Sequence, residues 1–154
     1  MNKDAIERLF WSIAFAGFGQ LLNRKYIKGI LFIFLEFTVN VLANFNSAIM
    51  SSFQGDIQKS IEQLNFQWIM FYPCLYFFSM WDAVKDVNKE SENSNLLFLP
   101  FVFSAYFVTV GVMYSTKLEI FGVLLGPIFL PMVFVIPGVL IGLIIKNIIV
   151  KFGK

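Results

Sequence analysis

The longest apolar stretch of the chain lies between Leu96 and Ile149 and reads LLFLPFVFSAYFVTVGVMYSTKLEIFGVLLGPIFLPMVFVIPGVLIGLIIKNII. Only three of its side chains carry a charge: Lys117, Glu119 and Lys146. A helix needs about 20 predominantly apolar residues to cross the hydrocarbon core of a bilayer. Because this stretch is long enough for two such helices, the sequence predicts an integral membrane protein.

The rest of the chain has the same character. Of its 154 residues, 58% are hydrophobic and 14% are charged, whereas a typical soluble domain is about half apolar and a quarter charged. Hydrophobic segments lie at 9–22, 29–45, 64–81, 96–114 and 120–145. We therefore expect one all-α domain over residues 1–154, a polytopic membrane bundle of four to five hydrophobic helices plus a short amphipathic interfacial segment. The segment 9–22 is the shortest, so it either crosses the bilayer or enters and returns.

The last segment, 120–145, contains several residues that bend or break helices. Proline removes a backbone donor, and a membrane helix tolerates it where neighbouring helices satisfy the freed groups. We expect this helix to be packed against others and kinked at its prolines, Pro127, Pro131 and Pro137.

The connection 47–63 is amphipathic. Its apolar residues recur at intervals of four, which places them on one helical face: Ile49, Phe53, Ile57 and Ile61. Asp56 precedes a helical pattern as an N-cap residue would. A short helix lying on the membrane surface is predicted, with an ordinary polar loop as the alternative.

Lys and Arg side chains predict the orientation, because they concentrate on cytoplasmic connections. The charged, Asn- and Ser-rich stretch 85–95 is the clearest solvated linker. If all five segments cross, eight Lys and Arg residues share the side of the C-terminus and four lie opposite. If 9–22 enters and returns, ten Lys and Arg residues share the side of the C-terminus and two lie opposite. Both cases predict a cytoplasmic C-terminus.

Composition also argues against several kinds of function. The chain has no His, so imidazole bases, Ser-His or Cys-His pairs and His-based metal sites are excluded. A net charge of +2 gives no dense basic face for nucleic acid. Cys74 is the single cysteine, which excludes disulfides within the chain. We expect a noncatalytic protein without metal or cofactor.

Glu36 stands out because an ionisable residue inside a hydrophobic segment is costly and marks a polar interior, a pair or an ion path. Asn40 and Asn44 follow at four-residue intervals, so the three residues share one face of a helix. This polar stripe has three uses that the sequence leaves open. It bonds to a neighbouring helix, it meets another protein, or it relays protons or cations.

A glycine-containing corner joins the first two segments. Its residues allow two helices to approach closely through a tight turn, and they are Gly17, Gly19, Gln20, Asn23, Tyr26 and Gly29. Asn23 and Tyr26 are expected to complete the hydrogen bonds of the turn.

A cluster of charges is predicted at the cytoplasmic surface. It combines the basic corner with two acidic residues one turn apart at the end of the third segment: Arg24, Lys25, Lys28, Asp82 and Asp86. Ion pairing across connections is the expected role, and a site for a divalent cation or a lipid headgroup is the alternative.

The corner Ala16-Gly17-Phe18-Gly19-Gln20, followed by Tyr26 and Gly29, resembles the Gly-x-Gly-Gln/His corner of TM2-like hairpin proteins. Glu36 with Asn40, the run Phe71-Tyr72-Pro73, Trp81-Asp82-Ala83 and the Gly- and Pro-rich last segment resemble a family of small multi-pass bacterial membrane proteins. The typical corner has Pro where this chain has Ala16. The resemblance implies a helical membrane fold and assigns no catalytic residue.

Together these features predict an accessory or scaffold subunit of the bacterial cytoplasmic membrane, in contact with lipid and with another membrane protein or further copies of itself. The alternative is a channel or transporter for protons, ions or a small solute, with a path past Glu36. An enzyme acting on lipid would need the carboxylates of Glu36, Asp82 or Asp86 to share a pocket.

Overall fold

The computed structural model describes residues 3–88 and 96–152, so residues 89–95 of the expected linker lie outside the described residues. The fold is all-α, as predicted. Its helices are α1 (Lys3–Ala14), α2 (Phe18–Leu22), α3 (Tyr26–Ala43), α4 (Phe45–Phe53), α5 (Ile57–Gln63), α6 (Phe66–Ile69), α7 (Tyr72–Val87), α8 (Phe98–Tyr114) and α9 (Gly126–Phe152). A two-stranded hairpin of β1 (Glu119–Ile120) and β2 (Val123–Leu124) joins α8 to α9.

Within residues 3–88 and 96–152, two helices are long and apolar enough to cross a membrane. They are α3, with a mean hydropathy of 1.7 over 18 residues, and α9, with 2.8. The apolar helix α8 has 17 residues, and α7 has 16 residues, including Asp82, Lys85 and Asp86. The coarse prediction of apolar membrane-length helices is confirmed for these two, and a total of four to five spans stays a prediction.

The first hydrophobic segment is two helices rather than one. The chain breaks between α1 and α2 at Gly17, whose φ of 103° is in the left-handed region. The chain then turns back along α1. Arg8, near the start of α1, donates a hydrogen bond of 3.0 Å from its Nε to the Oδ1 of Asn23, which directly follows α2. Both ends of the segment 9–22 therefore lie at the same end of the bundle.

The predicted third segment, 64–81, is wrong as a single helix. Leu64 is extended, α6 covers four residues, and α7 begins at Tyr72. Pro73 lies in the first turn of α7, where its missing N–H is tolerated, whereas a continuous helix would need that donor.

The predicted boundaries of the last segment are also wrong. Residues 120–124 belong to the hairpin, in which Ile120 pairs with Val123, and α9 begins at Gly126 and continues to Phe152. Pro127 therefore lies in the first turn, where proline is accommodated. Of the three expected kink positions, only Pro131 and Pro137 are inside the helix.

The amphipathic connection forms two helices, α4 and α5, separated by Gly55 at φ 87°. The predicted helix start is confirmed, since the Asp56 side chain accepts a hydrogen bond from the Lys59 N–H at 3.1 Å. The two helices are joined by buried hydroxyls, with Ser52 Oγ and Ser60 Oγ 2.8 Å apart. α5 also contacts the start of α9, since a Cβ on Gly126 would lie 2.6 Å from Ile57.

The long helices run antiparallel in two pairs. In the first pair, Lys28 and Glu36 of α3 contact Asp82 and Tyr72 of α7, respectively. The second pair is α8 with α9. We call the end that holds Arg8, Lys28 and Asp82 the basic end, and the end that holds α4–α6 and the hairpin the capped end.

Candidate functional site

Glu36 is 5% exposed and connects three parts of the bundle. Its Oε2 accepts a hydrogen bond of 2.5 Å from the N–H of Ala16, in the turn between α1 and α2. Its Oε1 accepts one of 3.2 Å from the hydroxyl of Tyr72 on α7. Both carboxylate oxygens are thus engaged by donors from other elements. The arrangement holds the tip of the re-turning segment against α3 and α7.

The other two residues of the expected stripe lie elsewhere. Asn40 donates from Nδ2 to Asn46 Oδ1 at 3.1 Å. Asn44 ends α3 in the left-handed conformation, with φ 56°, and donates to the carbonyl oxygen of Gln63 at 3.1 Å. The stripe is therefore divided, because Glu36 faces the bundle interior while the two asparagines hold the turn at the capped end.

Gln20 is fully buried in α2. Its Nε2 donates to the carbonyl oxygen of Ser79 at 2.7 Å and to Asp82 Oδ2 at 3.2 Å. Asn23 extends this connection, because its Nδ2 donates to the carbonyl oxygen of Ala83 at 2.8 Å while its Oδ1 accepts from Arg8. These two amides hold the corner on the last turns of α7.

The glycines of the corner lie where a side chain would collide. A Cβ on Gly17 would lie 2.5 Å from the carbonyl oxygen of Gly29, and one on Gly19 would lie 2.7 Å from the Cβ of Ala83. The close approach predicted for these glycines is present. Tyr26, in contrast, is 60% exposed at the start of α3, and the bonds of the corner come from Asn23 and Gln20.

One ion pair of the predicted charge cluster forms between Lys28 Nζ and Asp82 Oδ1, at 2.6 Å. Arg24 and Lys25 are exposed, and Asp86 lies one turn beyond Asp82 on α7. Across residues 3–88 and 96–152, no group of three or more acidic or Cys side chains is arranged to hold a metal ion.

Glu36 and Asp82 lie at different levels of the bundle. Glu36 meets α7 at Tyr72, whereas Asp82 is ten residues further along that helix, a separation of about 15 Å at 1.5 Å per residue. Glu36 is therefore too far from Asp82 to share a pocket with it.

The sequence did not predict several contacts of this site. Tyr72 and Ala16 supply both donors to Glu36, yet neither carries a local signal. Tyr76 donates from its hydroxyl to the carbonyl oxygen of Ile13 at 2.6 Å, which ties α7 to α1. Pairs of this kind are distant in sequence and need the fold to be identified.

The close contact of α8 with α9 was also not predicted, although the sequence contains a signal for it. Gly138 and Gly142 form a Gly-x-x-x-Gly motif, which lets membrane helices approach closely. A Cβ on Gly142 would meet the Pro100 backbone of α8, and one on Gly138 would lie 2.7 Å from Ser104 Cα. The backbones of α8 and α9 are therefore in direct contact along this face.

Two adjoining apolar cavities lie between the helices, with volumes of about 680 and 310 Å³. Glu36 lines neither of them.

A comparison of the chain with protein-family models, curated proteins and solved structures finds no match. The resemblance to TM2-like proteins therefore stays a prediction.

Proposed function

We propose that this protein is a multi-pass integral membrane protein that acts as a noncatalytic accessory or scaffold subunit in a bacterial cytoplasmic membrane. The observation that supports this proposal best is that buried polar groups of the protein form hydrogen bonds within the same chain. Glu36 and Gln20 are bonded to other parts of the same chain, so they contribute to architecture. A buried polar group bonded in this way stabilises one helix arrangement.

The outward faces suit a hydrocarbon or protein environment. On α3, Ile27 is 87% exposed, and Phe34 and Phe37 are 63% and 64% exposed. An exposed apolar surface of this kind would be unfavourable in water. We infer that it contacts lipid and, in the assembled complex, a neighbouring membrane protein or a second copy.

The fold of the first segment supports one of the two orientations considered above. The return of 9–22 to the basic end favours the predicted division of ten Lys and Arg residues against two. We propose that the basic end is cytoplasmic, with both chain termini on that side.

Affinity purification tests the accessory role. The tagged protein is extracted from its native membrane in mild detergent, and copurifying proteins are quantified by mass spectrometry. A stoichiometric membrane partner or a homo-oligomer of fixed size is expected, and triple replacement of outward Ile27, Phe34 and Phe37 by Ala should reduce it. A wild-type protein recovered as a monomer alone would contradict the proposal.

The channel alternative is supported by one observation, the carboxylate inside a membrane-length helix. It predicts that Glu36→Gln abolishes flux of protons or ions into liposomes, because the amide carries no negative charge and cannot take up and release a proton as a carboxylate does. The scaffold proposal predicts no ion flux in the wild-type protein and a folded, assembled Glu36→Gln variant.

A further inference from the structure

The cavity of about 680 Å³ lies between α1, α7 and the α8–α9 pair. Its volume is within the range of about 300–1,000 Å³ typical of ligand sites. Most of its lining is aliphatic or aromatic, with Leu9, Ile13, Phe77, Phe101 and Val139 among the residues that form it. Such a lining suits a hydrocarbon chain and gives few partners to a polar metabolite.

The polar lining includes two side chains at the basic end. Lys146 of α9 and Asn88, which ends α7, line this cavity together with Leu97, which precedes α8. Lys146 is partly buried, and within residues 3–88 and 96–152 it forms no salt bridge. A cation at the mouth of an apolar cavity is complementary to an amphiphile with an anionic head.

The space is deep enough for one acyl chain of a membrane lipid. The smaller cavity shares Tyr76, Phe77, Met132 and Val135 with the larger one and extends to Pro127. Along the larger cavity, from Met132 to Lys146, α9 rises about 21 Å at 1.5 Å per residue. One leaflet is about half of the 30 Å hydrocarbon core, so this length accommodates one acyl chain.

We propose that these joined cavities bind an anionic glycerophospholipid of the surrounding bilayer. One acyl chain lies between α7 and α9, and the phosphate is paired with Lys146 at the basic end. Basic pockets between membrane helices on the cytoplasmic side bind anionic headgroups by the same physics. This inference rests on the proposed membrane location.

The test is native mass spectrometry of the full chain in mild detergent, titrated with phosphatidylglycerol or with phosphatidylcholine of identical acyl chains. Phosphatidylglycerol should bind about 5-fold more tightly, since one basic residue near an anionic surface contributes about this factor. Lys146→Gln should remove the preference. Lys151→Gln is the matched control, because Lys151 is exposed on the same helix and does not line the cavity.

A second variant tests the acyl chain site. Val139→Phe should lower the affinity for both lipids by filling the cavity, and circular dichroism checks that the variant is folded. Equal binding of the two lipids to the wild-type protein, or an unchanged preference in Lys146→Gln, would overturn the proposal. Tighter binding of oleate than of phosphatidylglycerol would also overturn it.

The membrane location is measured separately, as resistance to alkaline carbonate extraction. Release of the chain by carbonate would contradict the membrane proposal. Retention without lipid selectivity would overturn only the lipid site.

Discussion

The two helix pairs of this bundle are held together by different chemistry. α3 and α7, with the re-turning α1–α2 segment, are joined by hydrogen bonds that Glu36 accepts and by others that Gln20 and Asn23 donate. α8 and α9 are joined by direct backbone contact at Gly138 and Gly142. Small residues let two helices pack closely along a whole face, whereas a buried polar residue forms its hydrogen bonds at one position along the helix. The hydrogen bonds of the first pair therefore fix the position at which the α1–α2 segment packs. The glycines of the second pair set the distance between α8 and α9.

A substitution in the glycine-packed pair should destabilise the fold most. Gly142→Leu places a side chain where the Pro100 backbone lies, so α8 and α9 must separate. We expect a loss of about 3 kcal/mol or more in the free energy of unfolding, at the upper end of overpacking costs. Thermal unfolding in detergent measures this loss. Leu140→Phe, on an exposed position of the same helix, should leave stability nearly unchanged, and equal losses in both variants would refute the close contact.

The next effect is on the hydrogen-bonded pair. Glu36→Ala leaves the Ala16 N–H and the Tyr72 hydroxyl without their acceptor, which should cost about 1–3 kcal/mol. Glu36→Gln retains an acceptor oxygen and should cost less. Unfolding of both variants is measured in the same detergent. Should Ala and Gln prove equally harmful, the role of Glu36 as an acceptor for the turn would be wrong.

The turns of the two pairs also differ. The α1–α2 turn has glycine at its left-handed position, but the hairpin before α9 has Phe121 at φ 54°, with the side chain fully exposed. Asparagine tolerates this conformation better than phenylalanine. Phe121→Asn should therefore raise the free energy of unfolding by about 0.5–1 kcal/mol, within the cost of such a conformation. A destabilised variant would show instead that the Phe121 ring makes a contact that stabilises the fold.

The smallest effect concerns the ion pair at the basic end. The Lys28 side chain is 51% exposed, so its pair with Asp82 should contribute less than about 1 kcal/mol. Lys28→Ala should lower the unfolding temperature slightly in low salt and less in high salt. Lys25→Ala, at an exposed neighbouring position, is the control. A large, salt-independent loss for Lys28→Ala alone would contradict this estimate.

Sequence patterns predicted local features better than long-range partners. Asp56 was identified as an N-cap because a cap acts within its own turn, and Gly17, Gly19 and Gly29 indicated the corner because small residues permit close approach. The burial of Glu36 was expected, but its donors at Ala16 and Tyr72 depend on how the first segment turns back.

The errors have physical reasons as well. The hairpin at 119–124 and the break before Pro73 lie inside apolar runs, where hydropathy does not distinguish strand, turn and helix. Pro73 itself was the available signal for the second break, since proline favours the first turn of a helix. For the α8–α9 contact, the signal was the spacing of Gly138 and Gly142.

We propose a membrane bundle whose first segment enters and returns, with Glu36 holding the tip of that segment. Single cysteines at Lys3, Lys59 and Lys151, introduced one at a time with Cys74→Ala, are labelled by a membrane-impermeant maleimide in sealed vesicles of known orientation. Positions 3 and 151 should react from the cytoplasmic side and position 59 from the opposite side. Reaction of positions 3 and 59 from one side and 151 from the other would show that 9–22 crosses the membrane, and would contradict the account.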